Sequence, residues 1–186
     1  MLLLWPLLAQ VAEPPALPAV PSTLSSPAAA PAPPAAGGAV QGQPLRKISP
    51  TASLLLSLGQ RQITVIDNGK VVGGPWPVAI GAKESPTPTG TFSVVNKVIN
   101  PIYRSTHTDA VNPKLGQESP LGERWVGFLK KDRDQFGIHG TPWPFWVVRR
   151  LPVTNGCVRM LNQHVREMFD MVDIGATVRK IGRAHV

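Results

Sequence analysis

The chain has a single cysteine, Cys157, in 186 residues. One thiol cannot close an intramolecular disulfide, so the fold must stand without that staple. Zinc sites need three or four ligands at defined spacing. The four histidines, at 107, 139, 164 and 185, show no such spacing, and no metal or cofactor is expected. Long apolar runs are also missing. The opening stretch "MLLLWPLLA" ends after nine residues, well short of the roughly 20 that a membrane-crossing helix takes. Acidic residues are scarce, 11 against 19 Lys and Arg, which leaves a formal charge of +8. Such a surface favours anionic partners: nucleic acid, acidic membranes or acidic wall polymers. The basic residues are scattered, however, with only short pairs at Lys130-Lys131, Arg149-Arg150 and Arg179-Lys180. No nucleic-acid motif accompanies them, so nucleic acid is not expected as a partner. There is neither an internal repeat nor a Gly-rich phosphate loop.

What is present is uneven. Residues 11–50 hold 10 Pro and 10 Ala and only three charges, Glu13, Arg46 and Lys47. So little branched or aromatic surface cannot offset the entropy of ordering a chain, and the segment reads as an extended, semi-rigid linker. Residues 1–10 are expected to be the apolar part of a signal peptide or membrane anchor whose basic start would lie upstream, the alternative being an ordinary hydrophobic end. The final "IGRAHV" could be spelled by a sequencing-library adapter, so 183–186 are expected to be an artefactual tail. One compact domain is expected over 51–182.

Within it, "SLLLSL" and "RQITVID" read as strands joined at Gly59-Gln60, with β-branched residues in alternation. Asn68-Gly69 is a strong hairpin signal, because both central positions of that turn need positive φ. "KVVGGPWPVAI" would return, with Pro75 and Pro77 placing it at an edge or bulge. One strand is expected from Thr91 to Val98, then a long polar loop over 100–122 of the kind that is often functional. "RWVGFL", "QFGIHG" and "GATVRKI" read as further strands. Only "NQHVREMFDMV" has helical spacing, with Val165, Met168, Phe169 and Val172 on one face. The expectation is a mainly β domain, a sandwich or barrel-like body, with one short helix after the cysteine.

A lone cysteine can be a small packed apolar residue or a reactive thiol. Three features bear on Cys157. It follows Asn155-Gly156, a pair that favours a tight turn. Arg159 is two positions on, and positive charge favours the thiolate. His139 ends an expected strand, and an imidazole suits the task of taking a thiol's proton.

The segments "HGTPWP" and "TNGCVRM", with Asn162 following, resemble the L,D-transpeptidase catalytic domain (YkuD-like) family. "TPTGTF" at 87–92, "SPLGERWVGF" at 119–128 and "GATVRKI" at 175–181 are similar to its recurring segments. The likeness covers about residues 52–181. It implies a β-sandwich enzyme, exported to the periplasm or cell wall, that acts on peptidoglycan stem peptides. By that resemblance Cys157 is the nucleophile, His139 the general base, and the carbonyl of Gly140 the group that orients the imidazole. The backbone N–H groups of Gly156 and Cys157 form the oxyanion hole. The resulting thioester passes to an amine on a second stem or on a wall protein. Hydrolysis of the same thioester would make an L,D-carboxypeptidase, and a catalytically silent wall-binding module would keep the fold alone. Arg159 would fix the loop, meet a substrate carboxylate or form a surface salt bridge. Trp143, Phe145 and Trp146 would wall a peptide groove or pack in the core.

The pattern is broken in two places. Asn155 stands where many relatives carry a second histidine; it is expected to support the loop by hydrogen bonding or to meet substrate. Val147 or Val148 takes the place of a glycine usual between the histidine and the cysteine, which bears on substrate preference.

Overall fold

The computed structural model describes residues 51–105, 108–132 and 134–182. The expected anchor, linker and tail lie outside them. The chain opens with β1 (Ser53–Ser57), β2 (Gln62–Asp67) and β3 (Lys70–Pro77), an antiparallel meander. Its second turn is the expected one: Asn68 and Gly69 have φ of 47° and 75°. The segment continues through β4 (Ile80–Gly81), β5 (Gly90–Ser93) and β6 (Asn96–Ile99). A small hairpin follows, β7 (Tyr103–Arg104) with β8 (Val111–Asn112), then a 3-10 turn at Gly116–Glu118. The remainder is β9 (Arg124–Lys131), β10 (Asp134–His139), α1 (Pro144–Val148), β11 (Pro152–Thr154), β12 (Val158–Arg159), α2 (Asn162–Met171) and β13 (Thr177–Ile181).

Two sheets carry the domain, one in the order β3-β2-β1-β13-β5 and the other β12-β10-β9-β6. The prolines of β3 sit on an edge strand, where a missing N–H costs no ladder bond. Between the sheets lie Leu54, Leu56, Ile63, Val65 and Val178 from the first and Val126, Phe128, Ile138 and Val158 from the second. Helix α2 adds Val165, Met168 and Phe169. Each such side chain, fully buried, contributes roughly 1.5–3 kcal/mol. The last turn of α2 is closed by Lys97, whose Nζ donates to Phe169 O at 2.7 Å and Val172 O at 2.6 Å. A cation at that end suits the helix dipole and satisfies carbonyls that have no partner within the helix.

Three expectations need correction. The single strand over Thr91–Val98 is two strands in different sheets. The chain crosses over at Val94 and Val95: Val94 N–H bonds Ala176 O and Val95 N–H bonds Gly127 O. The paired Val94-Val95 at the corner suits either sheet and hides the crossover. The loop over 100–122 holds the β7–β8 hairpin and the 3-10 turn. There is also a second helix, α1, within the aromatic run. Pro144 sits in its first turn, where a missing N–H is harmless, and its five residues are too few to show a period.

Candidate active site

Strand β10 lies between β9 and β12, paired antiparallel to the first and parallel to the second. His139 stands opposite Trp125 on β9 and Arg159 on β12. Paired residues share a face of a sheet, and so do positions two apart along a strand. His139, Trp125 and Arg159 therefore project from one face, while Ile138, Val126 and Val158 fill the core from the other; Cys157 lies in the loop just before β12, two positions ahead of Arg159.

The cysteine loop is held at both ends by one segment. On one side β11 pairs with β4, and Ala82 N–H bonds Thr154 O at 2.8 Å. On the other, Ala79 and Arg159 exchange backbone bonds of 2.8 and 2.9 Å. Gly156 bends the loop at φ +95°, and a Cβ there would come within 2.7 Å of the Phe136 ring. Glycine is thus required twice over. The half-buried Cys157 thiol donates to Gln135 O at 3.7 Å. Burial raises its pKa; the Gly137 N–H, Arg159 and Lys180 oppose that rise, and Asp134 adds to it.

His139 is 3 % exposed, its ring stacked on Trp125 with centroids 6.0 Å apart. Its Nδ1 lies 2.6 Å from Gly140 O. A carbonyl only accepts, so Nδ1 must carry the proton, and Nε2 keeps a free lone pair. Burial, then the positive charge of Arg159, lowers the imidazole pKa to about 3, against the opposing pull of the Gly140 carbonyl. The imidazole and the thiol are therefore both held neutral at rest.

Arg159 makes no ion pair among the described residues. Its guanidinium lies 4.7 Å from the Trp146 ring centroid and 5.6 Å from that of Trp143. Its Nε and Nη1 are buried without a hydrogen-bond partner among the described residues. Tyr103, from the β7–β8 hairpin, is close enough to act on its charge. The aromatic run is divided: Trp143 and Phe145 are exposed and Trp146 is half-buried.

A model of the YkuD L,D-transpeptidase catalytic domain matches residues 52–179. The chain belongs to this family. This L,D-transpeptidase domain is 39 % identical over 119 residues to YqjB of Bacillus subtilis, by its name a candidate L,D-transpeptidase, with 63 % of this chain and 64 % of that protein covered. It is 30 % identical over 125 residues to YkuD of the same organism, named in the same way, covering 67 % and 63 %. The chain thus spans just under two thirds of the length of these relatives. Among solved structures, L,D-transpeptidase 3 of Mycobacterium tuberculosis with a faropenem-derived adduct has the same fold, at TM-score 0.58 and 23 % identity over 72 % of this chain and 61 % of that one. An L,D-transpeptidase from Stackebrandtia nassauensis superposes at TM-score 0.56 and 19 % identity, covering 81 % and 63 %.

Two residues of this L,D-transpeptidase domain have more structural weight than their sequence context signals. Asn162, first in α2, accepts at Oδ1 from Thr141 N–H (3.2 Å) and Glu123 N–H (3.4 Å), and its Nδ2 donates to Thr141 O at 3.1 Å. It ties the "HGT" segment to "SPLGERW". A Cβ on Gly140 would come within 2.0 Å of the same Oδ1. Thr154 closes the cysteine loop, its hydroxyl donating to Cys157 O at 2.6 Å. The loop support expected of Asn155 comes from this neighbour instead. Asn155 is exposed, and its side chain makes no hydrogen bond among the described residues. A threonine beside an Asn-Gly turn reads as a strand end, so nothing in the pattern singles it out.

Proposed function

We propose that the chain is an exported peptidoglycan L,D-transpeptidase with its catalytic domain over 51–182 and its reaction at Cys157. The observation that carries this reading is the pairing of β10 with β12. It sets His139 opposite Arg159, two positions past Cys157, and Nδ1 of the imidazole is committed to Gly140 O.

The stem peptide enters over the face that bears Trp125 and Arg159. As Cys157 Sγ attacks the carbonyl of the L-centre beside the terminal D-residue, its proton passes to His139 Nε2. The tetrahedral oxyanion is received by the N–H groups of Gly156 and Cys157; one such donor typically provides about 3 kcal/mol. Collapse breaks the peptide bond. The departing D-residue takes the proton from the imidazolium as its amine, which leaves a Cys157 thioester. An amine of a second stem, or of a wall protein, then attacks. His139 accepts its proton, and the thiol reforms as the new amide is released. A neutral resting pair suits this cycle: charge develops only when the attack is under way. The unpaired Nε and Nη1 of Arg159 are available to the substrate's carboxylate, with Trp143 and Trp146 as the groove wall beside them. Asn155 stands at the rim, where it meets the incoming stem.

The test is intact-protein mass spectrometry after incubation with a carbapenem and, separately, with a tetrapeptide stem and an amine acceptor. The expected results are a covalent adduct at Cys157 and an exchanged stem. A stem shortened by one residue without exchange would make the protein a carboxypeptidase. No adduct and no product would leave a silent wall-binding module.

A further inference from the structure

Lys180 points into the core from β13 and is 5 % exposed. Its partners in register are Leu56 on β1 and Gly90 on β5, neither of which offers it a polar side chain. Nζ has no hydrogen-bond partner among the described residues. It rests on two rings, 3.2 Å from the centroid of Phe128 and 4.2 Å from that of Phe92. Lys97 is the contrast. That amine also lies over a ring, Phe169 at 4.2 Å, but it donates to two helix carbonyls as well. Lys97 therefore has an evident structural task. Lys180 costs stability at a position where an apolar residue would serve the core better.

Its location suggests what that cost supports. Phe128 is the extra residue of a bulge in β9, opposite the step from Phe136 to Gly137 on β10. Cys157 sits against the same step: its thiol donates to Gln135 O on one side of Phe136, and the Gly137 N–H faces the sulfur on the other. Lys180 and Cys157 each respond to the other's charge. The groups shown around the amine are otherwise apolar: Leu56 opposite it on β1 and the rings of Phe92 on β5 and Phe128 on β9. The charged groups that act on the sulfur besides Lys180 are Arg159 and, at the start of β10, Asp134.

We propose that Lys180 is a positioning residue for the reaction, its buried ammonium stabilising the Cys157 thiolate from the core side of the β9 bulge. The proposal rests on Cys157 being the nucleophile. No bond forms to Lys180, and it keeps its protons while the sulfur gives its own to His139. Burial brings the lysine from 10.5 down to about 7, with the Cys157 thiolate pulling the other way. The support is thus fullest below neutral pH and fades as the free amine forms. Because each charge favours the other, the two groups titrate as a coupled pair.

The experiment is the rate of iodoacetamide alkylation as a function of pH, which reads the only thiol in the chain. Lys180→Met should move the alkylation midpoint up by about one pH unit or more, with a thermal midpoint no lower than the parent's. Lys180→Arg, charged throughout, should keep the midpoint at or below the parent's. The unfolded amine titrates at 10.5 and the folded one at about 7, so between those values the unfolded chain binds more protons. Stability should therefore rise with pH across that window in the parent and not in Lys180→Met. A folded Met variant with an unchanged alkylation profile overturns the proposal. Should Met impair folding, Lys180→Gln is read by the same two criteria. Alkylation needs no stem peptide. Lost transpeptidation with a normal thiol profile would bear on the proposed function alone, and an unshifted profile in an active enzyme on Lys180 alone.

Discussion

The two faces of the β12-β10-β9-β6 sheet cover their side chains by different means. On one, Val126, Ile138 and Val158 are wholly covered and Phe128 almost so, and none brings a polar atom. On the other, burial is built from stacking: Trp125 over His139, and Trp143 with Trp146 over Arg159. That covering leaves nitrogens without partners and shifts both an imidazole and a thiol toward neutrality. Apolar burial adds stability. Burial of the second kind spends stability to set protonation states, which is how polar groups are prepared for chemistry.

Substitution on each face should separate these contributions. Cys157→Ala is expected to abolish acyl-enzyme formation, read by intact mass, while the unfolding midpoint stays close to the parent's. Ile138→Ala, one position along β10 from His139 but on the core face, should cost about 2–5 kcal/mol in urea unfolding. Its turnover per folded molecule should change far less. If the two effects were exchanged, the division between faces would be wrong.

Acid should act on the chemical face alone. The His139 imidazole titrates at 6.5 unfolded and about 3 folded. Between those values the unfolded chain binds the extra proton, so stability is full above 6.5 and is lost as pH falls toward 3. The loss is on the order of several kcal/mol. Urea unfolding of His139→Gln across that window should show a shallower decline, and an identical decline would place the acid sensitivity elsewhere.

The same contrast explains how much could be read in the chain. The apolar face announces itself. Alternation in "SLLLSL" and "RQITVID", the Asn68-Gly69 turn and the spacing of Val165, Met168 and Phe169 all follow from one local rule each, and the elements form where those rules put them. His139 and Cys157 stood out as candidates for chemistry because an imidazole at a strand end and a thiol behind a tight turn are costly choices for packing alone. Sheet switching at Val94 and Val95 was not legible, because both sheets accept the same β-branched residues. Asn162 belonged to the resembling motif, but its role was not legible, because its three bonds to the "HGT" and "SPLGERW" segments exist only once strands distant in sequence have met. Lys180 hid for a related reason: beside Arg179 it looks like a solvated basic pair, and only the register of β13 with β1 and β5 turns it inward.

Asn162→Ala tests that long-range tie. Removing the amide leaves the Thr141 and Glu123 N–H groups without their acceptor, at about 1–3 kcal/mol. Because Gly140, which orients His139, packs against the same oxygen, kcat should fall as well, and the two losses should appear together in unfolding and in acylation kinetics.

The smallest effect is expected at Asn155, and it is informative because Thr154 adjoins it. Thr154→Val removes a buried hydroxyl that donates to Cys157 O, and should cost about 1 kcal/mol of stability with a loss in kcat. Asn155→Ala removes an exposed side chain with no hydrogen bond in the loop, so stability should hold within about 0.5 kcal/mol. If the amide meets the incoming stem, only KM should rise, by a few-fold, as befits one hydrogen bond at a solvated rim. A drop in stability with KM unchanged would instead make Asn155 a second strut of the loop. It would then share with Thr154 the work of holding the sulfur where the imidazole can reach it.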